Sequence, residues 1–219
     1  MSCYVREANI DDIDQVNEID REAFPTQWPP PNYKSELRNQ MARISVICET
    51  HDLAAEPSVR AEVRLTIESG RKSWLKRIFG LNARLPGVNP ASTIVGFVAS
   101  WIMADEAHIT AIAVRESYRR RGIGERLMIA AVETAIERKA DFLTLEVRVS
   151  NTGAQALYTK YGFTQVGLRR GYYTDNREDA LIMSTDKIIS PAFQARFKEL
   201  KESLYQRRGV TVGAETARK

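Results

Sequence analysis

Apolar positions along this chain alternate between a period of two and a period near 3.6, and each switch marks a change of element. Residues 4–8 alternate as a short strand. Over 11–23, Ile13, Val16 and Ile19 fall on one helical face behind a start at Asn9 or Asp11. The stretch 24–31 holds Pro25, Pro29, Pro30 and Pro31 with Trp28, so it reads as an irregular loop that could border a binding site. A second helix is expected over 33–40. Strands follow at 44–49, 93–103 and 107–114, then a long helix over 122–139 with Ile123, Leu127, Ala131 and Ile136 available to face a sheet. Residues 143–149 alternate, with Leu143, Leu145, Val147 and Val149 on one side and Thr144, Glu146 and Arg148 on the other. A helix over 152–161 and strands at 164–169 and 180–185 complete a β and α alternation. Phe193, Phe197, Leu200 and Leu204 then recur at helical spacing before a tail beyond Gly209.

The connection between the strands at 44–49 and 93–103 is far longer than the roughly 12 to 15 residues at which a structureless loop becomes uncommon. An insertion over about 51–92 is therefore expected. Within 71–84, Arg71, Lys72, Lys76, Arg77 and Arg84 interleave with Trp74, Leu75, Ile78, Phe79 and Leu81, the pattern of a basic amphipathic helix. Two readings stay open for it: a peripheral contact with a membrane or ribosome, or a helix packed on its own domain. The organisation expected is one domain over 1–190 carrying this insertion, with a helix and tail over 191–219.

At 219 residues with 43% hydrophobic and 27% charged positions, the chain can fill a core and keep a polar surface. A net charge of +4 suits an anionic ligand without selecting one, and stable nucleic-acid binding is not expected. Cys3 and Cys48 are the only cysteines, too few for a disulfide framework or a zinc site, so no metal is expected and a reducing cytoplasm suits the chain. The acidic start lacks the basic and apolar order of an export signal, and no apolar run approaches the roughly 20 residues of a membrane span.

The most specific local feature is the strand Ala111, Ile112, Ala113, Val114 followed by Arg119-Arg120-Arg121-Gly122-Ile123-Gly124 at the start of the long helix. Free amides and the positive helix end point at whatever occupies such a turn, and glycine lets phosphate oxygens approach the main chain. It is neither a dinucleotide fingerprint nor a P-loop, because the first glycine of one and the Gly-Lys-Ser/Thr of the other are absent. An ordinary helix start decorated with surface arginines remains the alternative. No Ser/His/Asp or Cys/His constellation is evident, and His51 and His108 read as structural or exposed. Glu146 either faces solvent or points into a site, and Tyr158 is either core or an acid.

Arg119, Gly122 and Gly124 match the Gln/Arg-x-x-Gly-x-Gly/Ala signature of the GNAT superfamily of N-acetyltransferases, which this chain resembles. The resemblance extends through Leu145-Glu146-Val147-Arg148-Val149-Ser150-Asn151, Ala156-Leu157-Tyr158, Tyr161-Gly162-Phe163, Arg169-Arg170-Gly171-Tyr172-Tyr173 and Arg177-Glu178-Asp179-Ala180 to the RimI branch, which acetylates the N-terminal alanine of a ribosomal protein. It is strong over 107–183, weaker over 4–47, and absent from the insertion and tail. It implies an α/β (α+β) fold with a mixed, mostly antiparallel central sheet flanked by helices and splayed between two central parallel strands. It implies acetyl-coenzyme A as donor, with the pyrophosphate held by the main chain of Arg119, Arg120, Arg121, Gly122, Ile123, Gly124 and Glu125. Ile112, Ala113 and Val114 would pair with the pantetheine, and Asn151 would hydrogen-bond the cofactor. Glu146 would be the general base through water, Tyr158 the general acid for the thiolate, and Tyr172 and Tyr173 the aromatic lining of a peptide groove. The expected partner is a protein or peptide N-terminus, with that of a ribosomal protein among the candidates. The competing expectations are a small amine or lysine side chain as acceptor, and a non-catalytic acyl-coenzyme A-binding module.

Overall fold

The computed structural model describes residues 2–26, 29–50 and 93–208. The expected insertion at 51–92, its basic segment at 71–84, Trp28 and the tail beyond 209 lie outside the described residues.

Strand β1 (Ser2–Glu7) enters a single 3-10 turn (Ile10–Asp12) and then α1 (Ile13–Ala23). The turn is started by a capping box: Asn9 Oδ1 accepts from the Asp11 amide at 2.8 Å, and Asp12 Oδ2 accepts from the Asn9 amide at 2.7 Å. Burial alone would raise the Asp12 carboxyl, but two hydrogen bonds from Arg6, at 2.6 and 2.7 Å, together with the Asn9 amide hold it below the usual carboxylate range. Helix α2 covers only Tyr33–Glu36 rather than the expected 33–40. Asn32 caps its start, the Arg38 amide already donates to Ser35 O in a tighter turn, and Asn39 Oδ1 takes the Met41 amide. Asn39 thus offers the backbone a local alternative to a continued helix.

The remaining elements are β2 (Ala42–Thr50), β3 (Thr93–Met103), β4 (Glu106–Val114), α3 (Ile123–Glu137), β5 (Phe142–Arg148), α4 (Thr152–Lys160), β6 (Phe163–Tyr173), β7 (Glu178–Thr185) and α5 (Pro191–Arg208). The seven strands form one sheet in the order β1-β2-β3-β4-β5-β7-β6, antiparallel throughout except for β4 beside β5. Val149 is the one member of the predicted inward row that the structure turns out: β5 ends at Arg148, and Val149 is 44% exposed.

Two apolar layers sandwich the sheet. On one face α3, α4 and α5 cover Val95, Val98, Leu143, Leu145, Val147 and Met183; on the other α1 and α2 cover Ile44, Val46, Ile94, Phe97 and Ala99. Leu127, Leu143 and Ile19 are fully buried, and each such side chain contributes about 1.5–3 kcal/mol relative to exposure. Gly96 in β3 allows this tight layering, since a Cβ there would lie 3.1 Å from Leu127 of α3 and 2.8 Å from Ala113 O of the neighbouring strand.

A β-bulge divides β4 into two halves. Ala99 faces Ala111 but Ser100 faces Ile109, so Thr110 is the extra residue. The bulge flips the alternation: Ala107 and Ile109 pack under α3, whereas Ala111 and Ala113 pack under α1. Parallel pairing between β4 and β5 runs only from Glu106 opposite Phe142 to Ile109 opposite Leu145. Beyond the bulge, β4 follows β3 and β5 follows β7, and a gap opens between the two parallel strands.

Candidate active site

On the α3 side, this gap is approached by the turn that joins β4 to α3. A 3-10 turn (Glu116–Tyr118) leads to Arg120, with φ 62°, and Gly122, with φ 80°, so the chain passes twice through the left-handed region just before the helix. Gly122 takes this conformation without the Cβ penalty, as the N-terminal cap of α3. Arg126 is the first amide to donate back, to Gly122 O at 3.2 Å, so the amides of Ile123, Gly124 and Glu125 have no intrahelical acceptor. They point where the macrodipole is positive. Arg119 and Arg120 are exposed beside them, and the Arg121 guanidinium stacks 5.0 Å from the Tyr118 ring centroid. The β4 residues Ile112, Ala113 and Val114 run from the gap to this turn, each pairing only with β3. A linear thioester donor with a pyrophosphate near one end fits this arrangement: main-chain groups in the gap, an anion cradle at the mouth.

Tyr158 stands on α4, buried in the apolar layer that α3, α4 and α5 form on the sheet. Its ring lies 5.9 Å from Phe163, the residue is 6% exposed, and burial pushes its phenol well above the ordinary range, with the nearby Tyr173 adding to the effect. Such a hydroxyl keeps its proton through neutral and mildly alkaline pH. Asn151 caps α4, accepting from the Ala154 amide at 3.1 Å, so its oxygen is engaged while its NH2 group stays available.

The α1 side of the gap is lined by side chains. Glu146 stands on β5 one residue beyond the last β4 pairing, its side chain 9% exposed. One carboxylate oxygen lies 3.1 Å from His108 Nε2, and the other 3.1 Å from an Arg169 nitrogen. His108 Nδ1 is 2.8 Å from Thr144 Oγ1, which donates to Glu106. A row of polar groups therefore runs along β4 and β5 from Arg169 to Glu106. The sequence reading missed His108 as a partner of Glu146. The only signal was positional: a parallel register sets His108 opposite Thr144, which puts it diagonal to Glu146 on the same face.

Tyr172 and Tyr173 meet edge to face at 5.2 Å at the end of β6, with Arg169 over the Tyr172 ring and Arg148 over the Tyr173 ring at 3.8 Å. Burial pushes the Tyr173 phenol up to about 12 despite Arg148, and the carboxylate of Glu146 contributes in the same direction. Arg148 grips both Asp175 oxygens, at 3.0 and 2.9 Å, and Glu178 at 3.0 Å. Asp175 also accepts from the Thr26 hydroxyl at 2.6 Å, so the proline-rich loop after α1 is tied to the β6–β7 turn across the site. A cavity of about 100 Å³ lies between α2 and strands β2, β3 and β4, beside the β4 bulge, bounded by Pro31, Tyr33, Trp101, Thr110 and Ala111. Tyr33 is held there by its hydroxyl, which donates to the buried Asp20 at 2.5 Å. Among the described residues, no group of His, Cys, Asp and Glu is arranged to hold a metal.

Known proteins resemble this chain in sequence and in fold. The acetyltransferase (GNAT) family model matches residues 65–163. A Bacillus subtilis protein provisionally named as a [ribosomal protein bS18]-alanine N-acetyltransferase is 36% identical over 180 residues, covering 82% of this chain and 92% of its own. An N-alpha-acetyltransferase of Sulfurisphaera tokodaii is 32% identical over 181 residues, covering 82% and 90%. In fold, the chain is similar to the crystal structure of the ribosomal-protein-S18-alanine N-acetyltransferase from Escherichia coli, with a TM-score of 0.61, 23% identity, and coverage of 86% of this chain and 96% of that one.

Proposed function

The chain belongs to the acetyltransferase (GNAT) family and is an acetyl-coenzyme A-dependent N-acetyltransferase, and from that premise we propose how it works: the acetyl group passes directly from the thioester to the N-terminal α-amino group of a protein beginning with Ala or a similarly small residue, with Glu146 as general base and Tyr158 as general acid. By analogy with the relatives named for it, the ribosomal protein bS18 is the natural candidate acceptor. Two free thiols, on Cys3 and Cys48, suit action in a reducing cytoplasm.

The observation that carries this reading is the placement of Glu146: a nearly buried carboxylate at the point where β4 and β5 part, with a cation already at one oxygen. The exposed Arg169 guanidinium marks the position an incoming ammonium would take, since both are cations that can pair with the same carboxylate oxygen. Once Glu146 has removed a proton, directly or through a water, the neutral amine can attack the thioester carbonyl. The main-chain groups of Ile112, Ala113 and Val114 would hold the donor's amide arm, and those of Arg119, Arg120, Arg121, Gly122, Ile123, Gly124 and Glu125 its pyrophosphate, with Asn151 adding a side-chain hydrogen bond. Tyr158, still protonated, is suited to protonate the departing thiolate. Tyr172 and Tyr173 would flank the peptide.

Thiol release from acetyl-coenzyme A should be compared for a short peptide beginning Ala-Arg, the same peptide blocked at its N-terminus but carrying a lysine, and a polyamine. Turnover confined to the free N-terminus is expected. Turnover of the polyamine or the blocked peptide alone would assign the site to small amines or lysine side chains instead.

A further inference from the structure

A cleft of about 590 Å³ opens between the end of β1, the turn after α2, the start of β2 and Arg138, the residue that ends α3. It lies at the far end of α3 from the Gly122 turn: the 15 residues of the helix, at about 1.5 Å each, put about 22 Å between them. We propose that this cleft is a second ligand site, and that it takes a phosphate monoester on a polar, hydroxyl-bearing body, the chemistry of a sugar phosphate.

The charge of the ligand follows from three arginines. Arg38 comes from the turn after α2, Arg43 from β2 and Arg138 from the end of α3, so three separate elements each bring a guanidinium to one cleft. Among the described residues no carboxylate pairs with any of them, although Glu7 and Glu36 border the same cleft. Like charges gathered this way repel one another, and an anion between them relieves the repulsion. Arg43 shows which edge would receive it. Its Nη1 is anchored on Gln40 O at 2.8 Å and Ala42 O at 2.5 Å. Its Nε is buried and has no hydrogen-bond partner among the described residues, a costly unmet donor on a charged group. Nε and Nη2 together form the fork that grips two oxygens of a phosphate or a carboxylate.

Three guanidinium groups suit three terminal oxygens and roughly −1.5 to −2 charges at neutral pH, which a phosphate monoester carries and a carboxylate does not. Bare phosphate would fill little of the cleft, whose volume lies in the range of about 300–1,000 Å³ that small-molecule sites occupy. The rest of the border describes what accompanies it. Asn39 and Gln40 carry amides, and Glu7 and Glu36 carry carboxylates that accept from hydroxyl groups. Glu36 is held in place by the Trp101 indole N–H, which donates to it at 2.6 Å. The same two acids repel a chain of phosphates, so a single ester fits better than a nucleic acid. No aromatic ring borders the cleft among the described residues, so a nucleobase finds no platform to stack on.

The test is calorimetric titration of the full chain with its donor site filled by coenzyme A, so that no added phosphate reports from there. The probes are ribose 5-phosphate, glucose 6-phosphate, ribose, inorganic phosphate and a short RNA oligonucleotide. At least one of the two esters should bind at a single site, ribose should not bind, and inorganic phosphate should bind about tenfold more weakly than that ester. Arg38→Gln and Arg138→Gln change exposed residues. Each should weaken ester binding by roughly tenfold or more while Tm and the rate of acetyl transfer stay at wild-type values. Arg43→Gln should weaken it at least as much. Absence of binding for both esters, or binding that survives both exposed substitutions, would overturn the site. Inorganic phosphate bound as tightly as the esters would reduce it to a bare oxyanion pocket, and RNA bound in their place would assign it to nucleic acid; each contradicts the proposal.

Discussion

The two sides of the gap between β4 and β5 are built from different materials. Toward α3, the groups that fit the donor belong to the main chain: the unpaired edge of β4, the turn through Arg120 and Gly122, and the first amides of α3. Toward α1, the groups that fit the acceptor are side chains: Glu146 between His108 and Arg169, Tyr172 against Tyr173, and Tyr33 braced on Asp20. A main-chain site tolerates many side-chain changes but not a change of backbone conformation. A side-chain site keeps its shape when one group is altered and loses chemistry instead. Substitutions on the two sides should therefore fail in different ways, one in donor affinity and the other in turnover.

The largest effect is expected at the junction of the two. Tyr158→Phe removes the hydroxyl proposed to protonate the leaving sulfur, and kcat for an Ala-initiated peptide should drop by roughly a hundredfold or more. Because the ring stays packed on Phe163, its melting temperature should remain near the wild-type value. Retained turnover would move the acid to another group. Next comes Gly122→Val on the donor side. At φ 80° a β-branched residue carries about 1–3 kcal/mol of strain. If that strain is relieved by reshaping the turn, acetyl-coenzyme A affinity measured by calorimetry should weaken by about tenfold or more. Equal affinity in the variant would show that the turn does not hold the donor.

These expectations track the limits of what was legible in the sequence. The turn before α3 announces itself because strand-to-helix punctuation is forced by backbone geometry, and Gly122, at φ 80°, sits where that geometry needs a glycine. The sheet was likewise legible, since Leu143, Leu145 and Val147 alternate and the structure buries all three. The Thr110 bulge was not, because it is a register shift between main chains, and Thr110 carries no compositional mark of it. With it went the contact of His108 with Glu146, which depends on strands 38 residues apart lying in one parallel register, and that of Arg169, which arrives from a third strand. The shortening of α2 was hidden for a local reason: Asn39 hydrogen-bonds its own turn instead of continuing the helix.

Two smaller effects probe the acceptor side alone. Tyr33→Phe leaves one oxygen of the buried Asp20 without its donor, which costs about 1–3 kcal/mol. At this chain length that corresponds to a fall of about 2–4 °C in Tm per kcal/mol. The affinity for acetyl-coenzyme A should not change, since the donor side is untouched. The smallest effect concerns the latch over the acceptor side. Hydrogen bonds from the Ser150 side chain and amide, from Arg148 and from Asn176 hold the Glu178 carboxyl at about 2, and Thr26 and Arg148 hold Asp175 below its usual range. Folded-state values below the unfolded ones mean that this stabilisation is present above about pH 4.5 and is lost as pH falls toward 2. Arg148→Met should accordingly flatten the acid decline of Tm across that window, and an unchanged decline would show that the latch adds nothing to stability.

The division of labour between the two sides is tested most directly by measuring, in one Glu146→Gln preparation, both the dissociation constant for acetyl-coenzyme A and kcat with an Ala-initiated peptide. The account predicts donor affinity within about twofold of wild type, less than about 0.5 kcal/mol, alongside a kcat lower by roughly a hundredfold or more. Donor affinity that falls by the same factor as turnover, or a kcat that does not fall, would contradict it.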